Sequence, residues 1–224
     1  MSHTKVNQVI ILAAGKSLQL DGVNKALIEH PISRKTILDC MIDAFEGKVI
    51  TVVVGFSAIQ IMQKYPQLNY VINPNWAVTN NAMSLGLALT NEPTYVVPGD
   101  IYLDKKLVSR LDNEVSDLAL TRNTENRVLS SIHAITKDNN IIDVYQGPIK
   151  NSTHPETTGL FKISNKEALT AWRNQCLQHG NLFAGQLLPV NVTNIKSVDV
   201  EKDFLWEINT PTDYLNLIRE AGRK

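Results

Sequence analysis

Ile10–Ala26 reads IILAAGKSLQLDGVNKA, an apolar run that breaks at Gly15 into a polar loop. Extended back to Gln8, the run QVIILAA is continuous and partly β-branched, as a strand buried on both faces of a parallel sheet requires. A strand ending in Ala-Ala-Gly turns its backbone N–H groups outward, Gly15 permits close approach, and Lys16 and Ser17 add donors. Together they form a cradle for a triphosphate, with Lys25 in reach of the α-phosphate. Neither the Walker pattern nor the three-glycine dinucleotide fingerprint is present. By itself an AAGKS loop is equally compatible with a plain strand-to-helix turn.

Outward from this loop the pattern alternates between strands and helices. Lys35–Phe45 places Ile37, Leu38, Met41, Ile42 and Phe45 at helical spacing, closed by Gly47. Val49–Gly55 is a second apolar strand, Ser57–Tyr65 a short helix and Leu68–Ile72 a third strand. Asn81–Leu89 is helical with Asn80 or Asn81 as cap, and Thr94–Val97 is a strand stopping at Pro98-Gly99-Asp100. Leu103–Leu111 reads as helix and Asp117–Thr121 as strand. Val128–Ile135 and Ile141–Tyr145 then alternate around Lys137-Asp138-Asn139-Asn140, the signature of an antiparallel hairpin. Helices return at Lys166–Cys176 and Pro211–Glu220. The fold class expected is α/β, a doubly wound, mostly parallel, Rossmann-like sheet with a small antiparallel lid insertion.

Composition narrows the function classes. The 224 residues fit one domain spanning 1–224, with the antiparallel insertion at about 124–158. Lys plus Arg and Asp plus Glu are each 22, so no global field draws the chain to nucleic acid or a membrane surface. Any phosphate must meet a local site. Cys40 and Cys176 show no metal or disulfide spacing, and the apolar run Val9–Ala14 is too short for a signal-peptide core. A cytoplasmic protein is expected.

Beyond the first loop the motifs resemble a family. Leu12-Ala13-Ala14-Gly15-x-Ser17 followed by Lys25 is similar to the signature of nucleotidyltransferases that join an NTP to a phosphorylated small molecule, sugar-phosphate and phosphocholine members included. Asn80-Asn81-x-x-Ser84-Leu85 resembles the base-recognition segment, and Gly99-Asp100 stands where a metal-binding aspartate ends the central strand. Glu156-Thr157-Thr158-Gly159-Leu160-Phe161 resembles the acceptor-pocket strand, and Trp206-Glu207-Ile208-Asn209-Thr210-Pro211-x-Asp213 the late metal motif. Order and spacing agree over nearly the whole chain.

The resemblance implies Lys25 as the catalytic α-phosphate clamp, and Leu12, Ala13, Ala14, Gly15, Lys16, Ser17, Asn80 and Ser84 around the nucleotide. It implies Mg²⁺ on Asp100, Glu207 and Asn209, and an acceptor held by Lys150 and Glu156 in the insertion. Glu207 and Asn209, spaced i and i+2, point to one side of an extended segment. Other readings stay open: Asp100 as a turn or helix cap, Asn209 as the cap of the final helix, Lys150 as a solvated lysine.

The chain also departs from the family. The loop arginine is replaced by the Leu18-Gln19-Leu20 region, leaving Lys16 or Arg34 to compensate, and Asn24 replaces the proline before the lysine. Asn209 stands for the commoner aspartate, which removes a negative charge from the Mg²⁺ site.

The function implied is Mg²⁺-dependent transfer of a nucleotidyl group, CMP from CTP, to a small phosphorylated or phosphonate acceptor such as phosphocholine or aminoethylphosphonate. Pyrophosphate is released. The alternatives are a sugar-1-phosphate nucleotidyltransferase and a nucleotide-binding, non-catalytic homologue. Partners are limited to the NTP and the acceptor, without nucleic acid or membrane insertion; a homodimer is left open. For a cationic acceptor, Tyr102, Tyr145 and Trp206 are candidate cation–π partners beside Glu156, although packing is the favoured reading of each. An oxidoreductase is set aside for want of the triple-glycine turn.

Overall fold

A computed structural model describes residues 6–123, 129–200 and 205–221. Its main sheet has nine strands in the order β3-β2-β1-β4-β9-β6-β10-β8-β7. These are β1 Gln8–Ala13, β2 Val49–Val54, β3 Asn69–Ile72, β4 Thr94–Pro98, β6 Asp117–Arg122, β7 Ile132–Lys137, β8 Asn140–Gln146, β9 Glu156–Ile163 and β10 Ile195–Asp199. Strands β3, β2, β1 and β4 run parallel, joined through α1 Ile37–Ala44, α2 Ala58–Lys64 and α3 Asn81–Ala88. Helices α4 Lys105–Asn113, α5 Lys166–Gln178 and α6 Pro211–Ala221 follow.

Helices cover both faces. On one, Ile37, Leu38 and Met41 of α1 and Leu107 and Leu111 of α4 pack on Ile11, Val52 and Tyr95. On the other, Leu85 of α3 and Trp172 of α5 pack on Ile10, Val96 and Phe161, with Trp172 edge-on to Phe161 at 5.4 Å. Each such fully buried apolar side chain contributes about 1.5–3 kcal/mol. Thr36 starts α1 with a capping box, its hydroxyl accepting from Asp39 N at 3.0 Å while Asp39 accepts from Thr36 N at 2.8 Å.

The second half of the sheet corrects the sequence reading. Strand β9 enters antiparallel between β4 and β6, β10 lies parallel to β6, and the hairpin β7–β8 is antiparallel throughout. The mostly parallel description therefore fits the β3–β4 half, and the other half is mixed. The hairpin turns at Asp138 and Asn139, both with positive φ as a tight hairpin turn demands. Because β8 pairs with β10 and β7 with β9, the hairpin continues the sheet and is not a separate lid. Val128 and the rest of 124–128 lie outside the described residues.

Two three-residue strands went unread. Ile101–Leu103, β5, precedes α4 where the sequence suggested helix from Leu103, and it pairs antiparallel with β11, Leu205–Glu207. Ile208 N donates to Asp100 O at 2.9 Å, so this ribbon carries residues 207–209 to the end of β4.

Candidate active site

The strand order reverses between β1 and β4, each of which ends in a loop at the same edge of the sheet. In open α/β sheets a crevice forms at this switch point. A cavity of about 450 Å³ opens there, lined by Leu12–Gln19, Asn24, Lys25, Asn73, Trp76, Thr79–Asn81, Ser84, Pro98–Asp100 and Phe183. All the residues that the sequence assigned to the nucleotide border it. A larger open groove of about 870 Å³ beside the C-terminal end of α1 is lined partly by the exposed Lys105–Glu46 ion pair and lies away from these motifs.

The loop after β1 is built by a buried amide. Asn24 Nδ2 donates to Ala13 O at 2.7 Å and Phe56 O at 3.0 Å, while its Oδ1 accepts from Ala26 N at 3.1 Å. Asn24 thus fixes both ends of the loop and holds Lys25 at the start of a 3-10 turn. Gly99 cannot carry a side chain, because a Cβ would sit 2.7 Å from Leu12 O. At Gly15 a Cβ would meet nothing within 4 Å, so the protein leaves that space open. Among the described residues, Gly15 N and Lys16 N have no backbone acceptor, whereas Ser17 N is committed to Val23 O at 3.0 Å. Leu18, in the region of the missing arginine, is 82% exposed. Lys16 rests over the Phe56 ring at 5.3 Å, and Arg34 pairs with Glu29 at the surface.

A chain of polar contacts runs from Lys25 and Asp100, which line the cavity, to residues that do not. Lys25 Nζ donates to Asp100 Oδ2 at 3.0 Å and to Asn209 Oδ1 at 2.5 Å. Asn209 Nδ2 donates to Glu207 Oε1 at 2.6 Å, and Arg122 Nη2 to Glu207 Oε2 at 2.5 Å. Arg122 Nε continues to Glu156 Oε2 at 2.9 Å, and Ser131 Oγ donates to Glu156 Oε1 at 2.5 Å. Burial, reinforced by Asp100, raises the Glu207 carboxyl above the usual range against the pull of Arg122. Burial lowers the Arg122 guanidinium, but Glu207 and Glu156 outweigh it and leave a net upward shift.

The alternative capping roles fall away. Thr210 caps α6, its hydroxyl accepting from Asp213 N at 3.3 Å while Asp213 Oδ2 accepts from Thr210 N at 2.7 Å. The Asn209 side chain is thereby free to join Lys25 to Glu207. Asp104, not Asp100, caps α4. Asp100 Oδ1 is buried without a hydrogen-bond partner, an arrangement that costs about 1–3 kcal/mol unless a ligand meets it. That orphan oxygen is a hard donor suited to Mg²⁺, which takes few protein ligands alongside phosphate oxygens; the Glu207 and Asn209 oxygens already accept from Asn209, Arg122 and Lys25 and would have to exchange those partners to join it. Among the described residues no group of three or more His, Cys, Asp or Glu forms a metal cluster.

The acceptor assignments fare differently. Glu156 is buried, with both oxygens engaged, and Lys150 is exposed with its ammonium 4.4 Å over the Tyr145 ring; neither lines the cavity. Tyr102 is core, its hydroxyl donating to Ile28 O at 3.0 Å, and Trp206 pairs with it across β5–β11 and packs on the same core. Arg122, Ser131 and Asn73 were missed. The Arg122–Glu156 register pair across β6–β9 was the discoverable signal, but only once those strands were known to be neighbours.

Among the described residues no helix is long and apolar enough to cross a membrane. No protein of curated function matches the sequence. Solved structures match the fold at low identity. A CTP:phosphocholine cytidylyltransferase from Streptococcus pneumoniae superposes with a TM-score of 0.75 at 19% identity, covering 96% of this chain and 98% of that one. An inositol-1-phosphate CTP transferase from T. maritima gives 0.71 at 14%, covering 96% of each chain. A nucleoside-diphosphate-sugar pyrophosphorylase from Vibrio cholerae gives 0.70 at 12%, covering 94% of this chain and 99% of that one. The sequence profile described as the MobA-like NTP transferase domain matches residues 9–180, which hold the Gly15 loop, Lys25 and Asp100, and the chain belongs to that nucleotidyltransferase family.

Proposed function

We propose that the protein transfers CMP from CTP to a small phosphorylated or phosphonate acceptor with Mg²⁺ bound and pyrophosphate released. The observation that carries this reading is the Lys25 ammonium held between Asp100 and Asn209, with Lys25 and Asp100 lining the same cavity as the Gly15 loop. An acceptor phosphate oxygen attacks the α-phosphorus, the bond from that phosphorus to the β-bridging oxygen breaks, and pyrophosphate departs with the electron pair. No protein nucleophile is needed.

Two anions must meet, so screening and alignment dominate catalysis. Lys25 clamps the α-phosphate, and the open N–H groups of Gly15 and Lys16 meet the outer phosphates. Asp100 and Glu207 would hold Mg²⁺, with Asn209 as a neutral ligand. The ion would neutralise phosphate charge as the transition state forms. Asn80 and Ser84 read the base on the far wall of the cavity.

In this reading the acceptor approaches from the side of Arg122 and β9, whose contacts continue from Asn209 through Glu207. Arg122 neutralises Glu156 and Glu207 together, which keeps two carboxylates beside an anionic acceptor without repelling it. Glu156 is therefore a support for Arg122 in this reading, and direct pairing with an amine head group is given up because Ser131 and Arg122 occupy its oxygens. The similarity to a phosphocholine cytidylyltransferase, set beside the Glu-Ile-Asn ending, supports CTP and a head-group acceptor. The two free cysteines suit a reducing cytoplasm.

A pyrophosphate-release screen tests the reading, with CTP against phosphocholine, phosphoethanolamine, 2-aminoethylphosphonate and sugar 1-phosphates. Turnover with a head-group acceptor is expected. Turnover confined to sugar phosphates would replace the acceptor class, and none with any acceptor would favour a non-catalytic, nucleotide-binding homologue.

A further inference from the structure

Asn73, at the end of β3, is buried, lines the cavity, and has no place in the chemistry described above. Its orientation is fixed by three contacts. Asn75 N donates to its Oδ1 at 2.9 Å, and only the oxygen of an amide can accept that bond. The opposite end, Nδ2, therefore donates, to Ser84 Oγ at 3.0 Å and to Thr79 Oγ1 at 3.2 Å. Thr79 in turn passes its own proton to Asn75 O at 2.8 Å.

The consequence falls on Ser84. Its hydroxyl is buried on the cavity wall and accepts from Asn73, so its proton is directed elsewhere. Among the described residues that proton has no acceptor, not even the carbonyl one helical turn back that serines in helices often use. Asn80 shows the same polarity: its Oδ1 accepts from Asn81 N at 2.8 Å, which leaves its Nδ2 as a donor toward the cavity it lines. The wall thus presents donors from the half-buried Asn80 and the buried Ser84, and for Ser84 a donor without an acceptor costs about 1–3 kcal/mol until a ligand supplies one.

The geometry points to Asn73 as a specificity-setting positioning residue that locks Ser84 as a hydrogen-bond donor and so selects a base edge carrying adjacent acceptors. Cytosine offers two, O2 and N3. Uracil carries a proton on N3, which would face the donors and leave one of them unpaired. This rests on the reading of the cavity as the nucleotide site, and it adds the device by which that site separates CTP from UTP.

Asn73→Asp is the informative change. It keeps the side-chain shape and the oxygen that Asn75 N requires, but it replaces the donating amide with a second acceptor. Ser84 then gives its proton to residue 73 and turns lone pairs to the cavity. Dissociation constants for CTP and UTP are measured by calorimetry on the full chain without acceptor substrate, and their ratio cancels the general weakening caused by an added negative charge.

The wild type is expected to favour CTP, and N73D to lower the CTP-to-UTP preference at least tenfold. S84A should lower it as well, and N73D placed on S84A should change it no further. A wild type favouring CTP whose preference survives N73D, both affinities falling together, would reduce Asn73 to a structural role and overturn the proposal alone. A wild type without preference for CTP over UTP overturns it together with the cytidine reading. If N73D does not fold, S84A decides: an unchanged preference there also overturns the proposal.

Discussion

Lys25 Nζ lies 3.0 Å from Asp100 Oδ2, although 75 positions separate the two residues, and each side chain is 21% exposed. Asp100 holds the lysine where β1 and β4 end side by side, and the lysine offsets the charge of a carboxylate whose second oxygen is orphaned. In the proposed nucleotidyl transfer this pair would supply a cation for the α-phosphate and an anion for Mg²⁺ at one point.

Lys25→Ala is expected to lower kcat by about 10²–10³-fold while shifting the CTP dissociation constant only a few-fold, since the charge is needed most when the pentacoordinate phosphorus forms. Single-turnover kinetics paired with calorimetry separate the two. Equal losses in rate and binding would assign Lys25 to ground-state binding.

Removing the divalent cation with EDTA should abolish turnover in the wild type, and Asp100→Asn should raise the Mg²⁺ concentration needed for half-maximal rate. A Mg²⁺ titration of the initial rate reads both. An unchanged Mg²⁺ requirement in D100N would remove Asp100 from the metal site.

Arg122→Leu strips the shared cation from Glu156 and Glu207. Breaking a fully buried pair on one side costs about 3–5 kcal/mol, and this partly exposed pair should cost less while still lowering the urea midpoint. R122L with both carboxylates neutralised, E156Q and E207Q, should recover most of the loss. Failure to recover would show that Arg122 stabilises the fold by packing.

The capping box at α1 sets a pH dependence. Burial pushes the Asp39 carboxyl up, but hydrogen bonds from the Thr36 N–H and hydroxyl outweigh it and leave the group below the usual carboxylate range. A lowered folded-state pKa gives stability that is complete above the unfolded value and is lost as pH falls through the folded one. Asp39→Asn should therefore cost about 1 kcal/mol at neutral pH, and its difference from wild type should shrink below about pH 4. Chemical denaturation across pH checks the sign.

Much of this was readable from the chain because it is local. The β1 run, its break at Gly15, and the αβ alternation through Asp100 follow from periodicity and turn residues, and linear motifs flagged Lys25, Asp100, Glu207 and Asn209. What escaped depends on neighbours distant in sequence. Strands β5 and β11, three residues each, are too short for a pattern, yet their pairing delivers Asn209 to Lys25. Strand β9 was marked only through its resemblance to an acceptor-pocket strand, and nothing in its sequence says that it inserts antiparallel between β4 and β6. Asn24 read as the loss of a proline, because its three bonds reach partners set by the fold. Glu156 read as an open carboxylate for the same reason, its partners Arg122 and Ser131 being cross-strand.

The central claim is transfer of CMP at the Lys25–Asp100 floor, and phosphorus NMR tests it most directly. CTP, Mg²⁺ and the head-group acceptors are incubated with the wild type and with K25A. The account predicts loss of the CTP triphosphate resonances, one equivalent of pyrophosphate, and coupled signals of a new anhydride joining the CMP phosphorus to the acceptor phosphorus, all absent with K25A. Accumulation of CMP or CDP without such an anhydride, or an anhydride formed equally well by K25A, would contradict it.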